Sequence, residues 1–243
     1  MISLMRSAES FTSAGMAGLS NTSAFDTPLP GHITHGVLQL IEPQHQLRQS
    51  LQQFIAEGFA SHYQADVQQF MPYLLGVALS GRWQAALGIR FAASGSLFTE
   101  QYLSSPAELV LNSHNIVSNR ADIAEIGHLY AQNRPALMQL FVLLVQALHQ
   151  LNIKQLVFAA TTELKRLLTR HGIELSDVAD ASAECLGDKA VNWGSYYQSK
   201  PKVCVLSVVQ AANRIQSDQR LVQLVFRHWP QLHILVNALQ ETI

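Results

Sequence analysis

Two cysteines, Cys185 and Cys204, are too few for a disulfide scaffold, and their spacing matches no metal motif. Reduced thiols are the expectation. Charge is also scarce. Only 14% of the 243 residues are charged, and sixteen Lys+Arg against seventeen Asp+Glu leave a net charge of -1. Without a cationic surplus the chain cannot neutralise a phosphate backbone, so nucleic acid is not an expected partner. With 48% hydrophobic residues, an acidic disordered chain is excluded as well. Charge this close to zero favours self-association, and a homodimer is expected on that ground. The most continuous apolar run, Leu137–Leu148, is interrupted by Gln146 and falls short of the roughly twenty residues a bilayer span requires. Residues 1–30 carry no apolar core of a signal peptide. Together these features predict a soluble, cytoplasmic protein with no transmembrane segment.

Several catalytic signatures are missing too. Neither G-x-G-x-x-G nor G-x-x-x-x-G-K-[ST] occurs. Ser195 in Trp193–Tyr197 (WGSYY) lacks the second glycine of a nucleophile elbow. None of the ten histidines forms an i,i+4 pair around a glutamate, so no metal site is expected. Dinucleotide-binding, P-loop, serine-hydrolase and metalloenzyme readings are poor on these grounds.

What is present alternates between strand and helix patterns. Residues 1–30 have low apolar density and read as a flexible leader. Ile33–Ile41 reads as a strand, and Gln44–Tyr63 has the helical period through Leu47, Leu51, Phe54, Ile55 and Phe59. Tyr73–Leu79 and Trp83–Phe91, joined at Ser80-Gly81-Arg82, predict an antiparallel hairpin. Leu97–Leu103 reads as a short strand or a helical turn. Ala121–Tyr130 is a strand, and Ala136–Leu151 a buried helix with Pro135 at its start. Lys154–Ala160 is a buried strand, followed by a helix capped by Thr161 or Thr162 and closed at His171-Gly172. Ile173–Val178 and Lys202–Val209 are the last strands. Asp218–Gln240 is helical, with Pro230 expected to kink or divide it. The order predicts an α/β (α+β) fold with a central mixed sheet and helices on both faces. A domain over 31–210 would carry a C-terminal helical extension, 211–243, packed on it or at a dimer interface.

Three segments suggest chemistry. In Arg120–Ala136 a strand ends at Glu125, Gly127 and His128, and a loop then leads into a helix. That helix start, bounded by Tyr130, Arg134 and Ala136, suits an anion such as the pyrophosphate of a pantetheine carrier. An ordinary strand–helix connection fits the same residues. Glu125 beside His128 fits a proton relay, and equally a strand-edge glutamate paired with an arginine. Leu97–Glu108 supplies Glu100 and Tyr102. Val191–Pro201 places Trp193, Tyr196 and Tyr197 around a glycine, either as a pocket wall or as a hydrophobic cluster under a loop.

Taken together, Arg48, Phe54-Ile55, Tyr63, Ala65-Asp66, Pro72, Ala86–Leu103 (ALGIRFAASGSLFTEQYL), Ala121–Ala131, Leu156–Ile173 and Trp193–Tyr197 resemble the thermostable hemolysin family. That family is similar to acyl-homoserine-lactone synthases and, more distantly, to GNAT-type N-acyltransferases. The resemblance implies a GNAT-like, autoinducer-synthase-like fold. It also implies an acyltransferase that moves an acyl group from acyl-CoA or an acyl carrier protein to a small amine, with no tightly bound cofactor. The lactone-synthase site residues map onto Arg48, Tyr63, Asp66, Arg90 and Glu125. Gly127 and His128 stand where those enzymes carry Ser-Arg, and the hemolysin family usually has Asn at the His128 position. The likeness implies Glu125 as general base, with Glu100 or His128 in reserve. Backbone amides at Gly127–Leu129 would polarise the thioester. Tyr102, Thr161, Trp193 and Tyr196 complete the implied substrate contacts, and Tyr130, Arg134 and Ala136 the donor contacts. The family name points to an alternative, a membrane-disrupting or lipid-binding protein, for which the apolar tail Leu221–Leu239 would be the instrument.

Overall fold

The computed structural model describes residues 2–4 and 36–243, so the expected leader lies outside the described residues apart from a three-residue strand. The elements are β1 (Ile2–Leu4), β2 (Val37–Ile41), α1 (Arg48–Tyr63), β3 (Tyr73–Leu79), β4 (Arg82–Phe91), α2 (Ala107–Ser113), β5 (Ile123–Ala131) and α3 (Arg134–Gln150). They continue with β6 (Gln155–Ala160), α4 (Thr162–Arg170), β7 (Ser176–Asp180), β8 (Lys202–Ser207), α5 (Val208–Ser217), α6 (Gln219–Arg227) and α7 (Trp229–Gln240). The sheet runs β2-β3-β4-β5-β6-β8-β7, with β1 added on β5. It is mixed: β5–β6 and β1–β5 are parallel, and the other pairs are antiparallel.

Local chemistry explains most boundaries. Ser80 and Gly81 both have positive φ, the conformation a two-residue hairpin turn needs between β3 and β4. Every residue of β5 is buried, as expected of a strand covered on both faces. The Asn133 side chain accepts the Ala136 amide at 2.9 Å, and Pro135 sits in the first turn of α3. Thr161 caps α4 through the Leu164 amide.

Several boundaries differ from the sequence expectation. Residues 33–35 of the first expected strand lie outside the described residues. The helix expected from Gln44 starts at Arg48, because residues 42–47 are taken up by turns. Leu97–Leu103 resolves as a 3-10 turn over Thr99–Tyr102. The expected strand to Val209 stops at Ser207, whose hydroxyl accepts the Gln210 amide and opens α5. Helix α2 and the 3-10 stretches Ala183–Trp193 and Tyr196–Ser199 had no periodic signal in the sequence. Pro230 lies in the first turn of α7, and the tail divides at His228.

Helices cover both faces of the sheet. Buried residues of α3, α4, α5, α6 and α7 form one core with one face, including Leu140, Leu168, Ile215, Leu221 and Leu235. Residues of α1, α2 and the 3-10 stretches form a second core on the other, including Phe59, Leu111 and Tyr196. The tail therefore packs as part of the main core.

Candidate active site

The parallel pair β5–β6 is joined only over Ile123–Glu125 and Gln155–Val157. Beyond that point the strands part. A β-bulge lies just past the fork: Gly88 pairs with Gly127 and Ala86 with Tyr130, leaving His128 and Leu129 opposite Leu87 alone. His128 takes up the irregularity with φ 53°. Asn, Asp and His are the non-glycine residues most often found in this left-handed region.

Three cavities surround the fork. An outer cleft of about 570 Å³ lies where β5 and β6 hand over to α3 and α4, lined by His62, Tyr63, Arg134, Thr161, Arg166 and Arg170, with others. None of its three arginines forms an ion pair among the described residues. The N-terminal end of α4 adds its dipole, so the cleft suits an anion despite Glu163. An inner cleft of about 290 Å³ on the α1 face is lined by Asp66, Phe70, Arg90, His128, Lys189 and Trp193, among others. A neck of about 20 Å³ at the fork touches Glu125, Gly127, His128, Ala159 and Trp193.

His128 is common to the inner cleft and the neck. Its ring lies among Phe59, Phe70 and Trp193, stacking on the last at 6.1 Å and 24°. Nδ1 is buried without a hydrogen-bond partner among the described residues. Burial pushes the imidazole pKa down to about 3, so the ring is neutral at physiological pH with a nitrogen lone pair available. Trp193 is held by a backbone clamp: Ser195 donates to the Tyr63 carbonyl and Asp66 to that of Asn192, both at 2.7 Å.

Glu125 is fully buried, and its oxygens accept the amides of Phe98 (2.8 Å) and Thr99 (2.6 Å). Burial raises its pKa, with the two amide bonds opposing. The carboxyl thus anchors the 98–99 turn to β5. Glu100 is committed in the same way. It pairs with Arg120 at 2.7 Å and accepts the amides of Leu97 and Ala107. Burial would raise its pKa, but Arg120 and the amides outweigh that and lower it.

The structure therefore gathers Asp66, Arg90, Glu125, Gly127, His128 and Trp193 around the inner cleft and neck, and Tyr63, Arg134 and Thr161 around the outer cleft. Other expected contacts stand outside these cavities. Arg48 donates to the carbonyls of Met71 and Pro72 and ties α1 to β3. Tyr102 shares a 2.6 Å hydroxyl contact with Tyr197. Tyr196 is fully buried and bonds the Ala159 carbonyl. Leu129 belongs to the opposite core, Tyr130 packs on Phe54 at 5.0 Å, and Ala136 is part of the α3 cap. Arg166 and Arg170 went unnoticed in the sequence, although an i,i+4 arginine pair one turn into a capped helix was a readable signal. Lys189 carried no such signal, because its 3-10 segment has no period.

A mixed sheet with a forked parallel pair and a bulge at the fork defines an autoinducer-synthase-like fold. Solved structures of that kind are similar to this one. TofI in an apo form aligns with a TM-score of 0.52 at 12% identity, over 76% of this chain and 98% of that one. The acyl-homoserine-lactone synthase LasI aligns with a TM-score of 0.50 at 13% identity, over 72% and 90%. The N-acyl amino acid synthase FeeM from uncultured soil microbes aligns at 0.48 and 12%, over 73% and 98%. No curated protein matches the chain. The thermostable hemolysin family profile matches residues 41–212, and the chain belongs to that family.

Proposed function

We propose that the protein is a GNAT-like acyltransferase that moves an acyl group from an acyl-CoA or acyl carrier protein thioester to a small amine. The observation that carries this reading is the fork. Two parallel strands part directly beside a neutral imidazole with no hydrogen-bond partner among the described residues, near a cationic cleft and a separate polar, aromatic-lined cleft.

The donor's phosphates rest against Arg134, Arg166 and Arg170, and its thioester reaches the neck. Near-equal positioning of both substrates supplies part of the rate. A backbone amide at the bulge, out of register with β4, polarises the thioester carbonyl. The amine nitrogen attacks the carbonyl carbon, and the C–N bond forms as the C–S bond breaks. The amine proton passes through His128 to the departing thiolate, leaving an amide and a free thiol. His128 takes the base role here because it lines both the inner cleft and the neck, whereas Glu125 is committed to holding the Phe98 and Thr99 amides. Glu125 acts as a positioning residue for the turn that carries Phe98.

The test is thiol release from acyl-CoA and, separately, from acyl carrier protein in the presence of an amine pool. Release that depends on both thioester and amine supports the reading. A protein that binds neither donor and releases no thiol overturns it. Phe226, Trp229 and Ile234, 72%, 53% and 68% exposed on α6 and α7, favour a second reading as a lipid-surface protein. No helix among the described residues is long and apolar enough to cross a membrane. Vesicle leakage without thiol release would select that second reading.

A further inference from the structure

The edge of β5 beyond the fork does not stand bare. From Leu129 to Ala131 it is paired with β1 in parallel register: Ile2 with Leu129, Ser3 with Tyr130 and Leu4 with Ala131. The other edge of β5 is taken by β4 at Tyr130 and Ala131. β1 must therefore lie on the side from which β6 has departed, and it rests against α4, the helix that follows β6. The strand fills the gap between β5 and β6 by continuing the interrupted ladder. A buried strand edge needs backbone partners, which explains why an extended segment is held there.

A pantetheine arm is an extended chain with two amide groups, so it makes the same demands on that edge as a short peptide strand. On the donor reading above, the arm must reach the neck along β5 from the outer cleft. That is the path β1 occupies. We propose that residues 2–4 form an internal stand-in for the donor arm, and that an acyl thioester binds only after β1 leaves β5. The apparent donor affinity is then the intrinsic affinity reduced by the fraction of molecules whose gap is open. The inference rests on the donor reading.

The test compares the full chain with two variants: Ser3→Pro, which cannot sustain a continuous strand ladder, and a chain lacking Ile2–Leu4. Folding of both variants is checked by thermal melting, and KM is compared at a temperature where each is fully folded. Donor KM, measured with a saturating amine pool, should fall about tenfold if the gap is closed in nine molecules of ten, with kcat unchanged. A synthetic peptide of residues 1–8 should inhibit the shortened chain competitively against acyl-CoA. Amide exchange at Leu129–Ala131 should quicken in both variants and slow again when acyl-CoA is added. Unchanged KM and no inhibition by the peptide would overturn the inference and leave the donor reading standing. If neither full chain nor variants bind acyl-CoA or acyl carrier protein, the donor reading falls and takes this inference with it. Quickened exchange at Leu129–Ala131 would then still report the loss of β1, which separates the two failures.

Discussion

Burial keeps the His128 imidazole neutral in the folded chain down to about pH 3, whereas the unfolded chain takes up a proton near 6.5. Between those values the unfolded state binds more protons, so stability falls as the pH drops, by about 1.4 kcal/mol per unit at most. Acidification from pH 7 to 5 should cost about 2 kcal/mol through this residue alone. His128→Asn, which tolerates the same left-handed φ, should flatten that dependence, as read from urea midpoints at the two pH values. The same variant should slow thiol release by about 10²–10⁴-fold while leaving the fold intact. Glu125→Gln is predicted to act differently. Its amide nitrogen would face one of the two backbone N–H groups, costing about 1–3 kcal/mol in denaturant unfolding and loosening Phe98. Its effect on rate should be smaller than that of His128→Asn, and a larger effect would return the base role to the carboxyl.

Elements reach the site through a few tight joints. Gly194 has φ 49°, and an added Cβ would lie 2.0 Å from the Tyr63 carbonyl oxygen at the end of α1. No side chain fits there without moving one of the two backbones. Gly194→Ala should therefore push the Trp193 segment away from His128, raise acceptor KM, and destabilise the fold by more than about 1 kcal/mol. A thermal melt alongside acceptor kinetics would show both effects, and an unchanged melt would contradict the close approach. Gly58 is a similar joint, with the Tyr130 ring 2.4 Å from where its Cβ would stand. These glycines let α1 and the 3-10 segment close on the sheet around the inner cleft.

Over the whole molecule, the outer cleft collects charge from elements far apart in the chain. Arg134 opens α3, and Arg166 and Arg170 lie on α4. The net charge of -1 hides this local surplus. Reversing Arg134 and Arg166 together to Glu should raise donor KM at least tenfold with kcat preserved, and the gap should narrow as salt is added. A salt-independent defect would assign these residues a structural role. The outer cleft and the inner cleft share no lining residue, so a defect in one substrate's KM should leave the other's unchanged.

Hydrophobic period together with turn residues and proline located the hairpin, the buried strands Lys154–Ala160 and Ala121–Tyr130, the strongly apolar α3 and the division of the tail near Pro230. Local side-chain sterics, caps and turn residues dictate those features, and such forces act over a few neighbouring residues. The resemblance carried by Ala86–Leu103, Ala121–Ala131 and Leu156–Ile173 identified the family and the fold. Roles within the site were another matter. The resemblance implied Glu125 as base with His128 in reserve; folding brings the 98–99 amides onto the first and leaves the Nδ1 of the second without a partner among the described residues. Arg48, implied as a substrate contact by the resemblance, has its guanidinium on the Met71 and Pro72 carbonyls. Hydrogen bonds between residues 20 to 30 positions apart, the parting of β5 from β6, and the return of residues 2–4 to fill that gap leave no mark in local pattern. They depend on which groups the closed sheet leaves unsatisfied, and only the tertiary structure decides that.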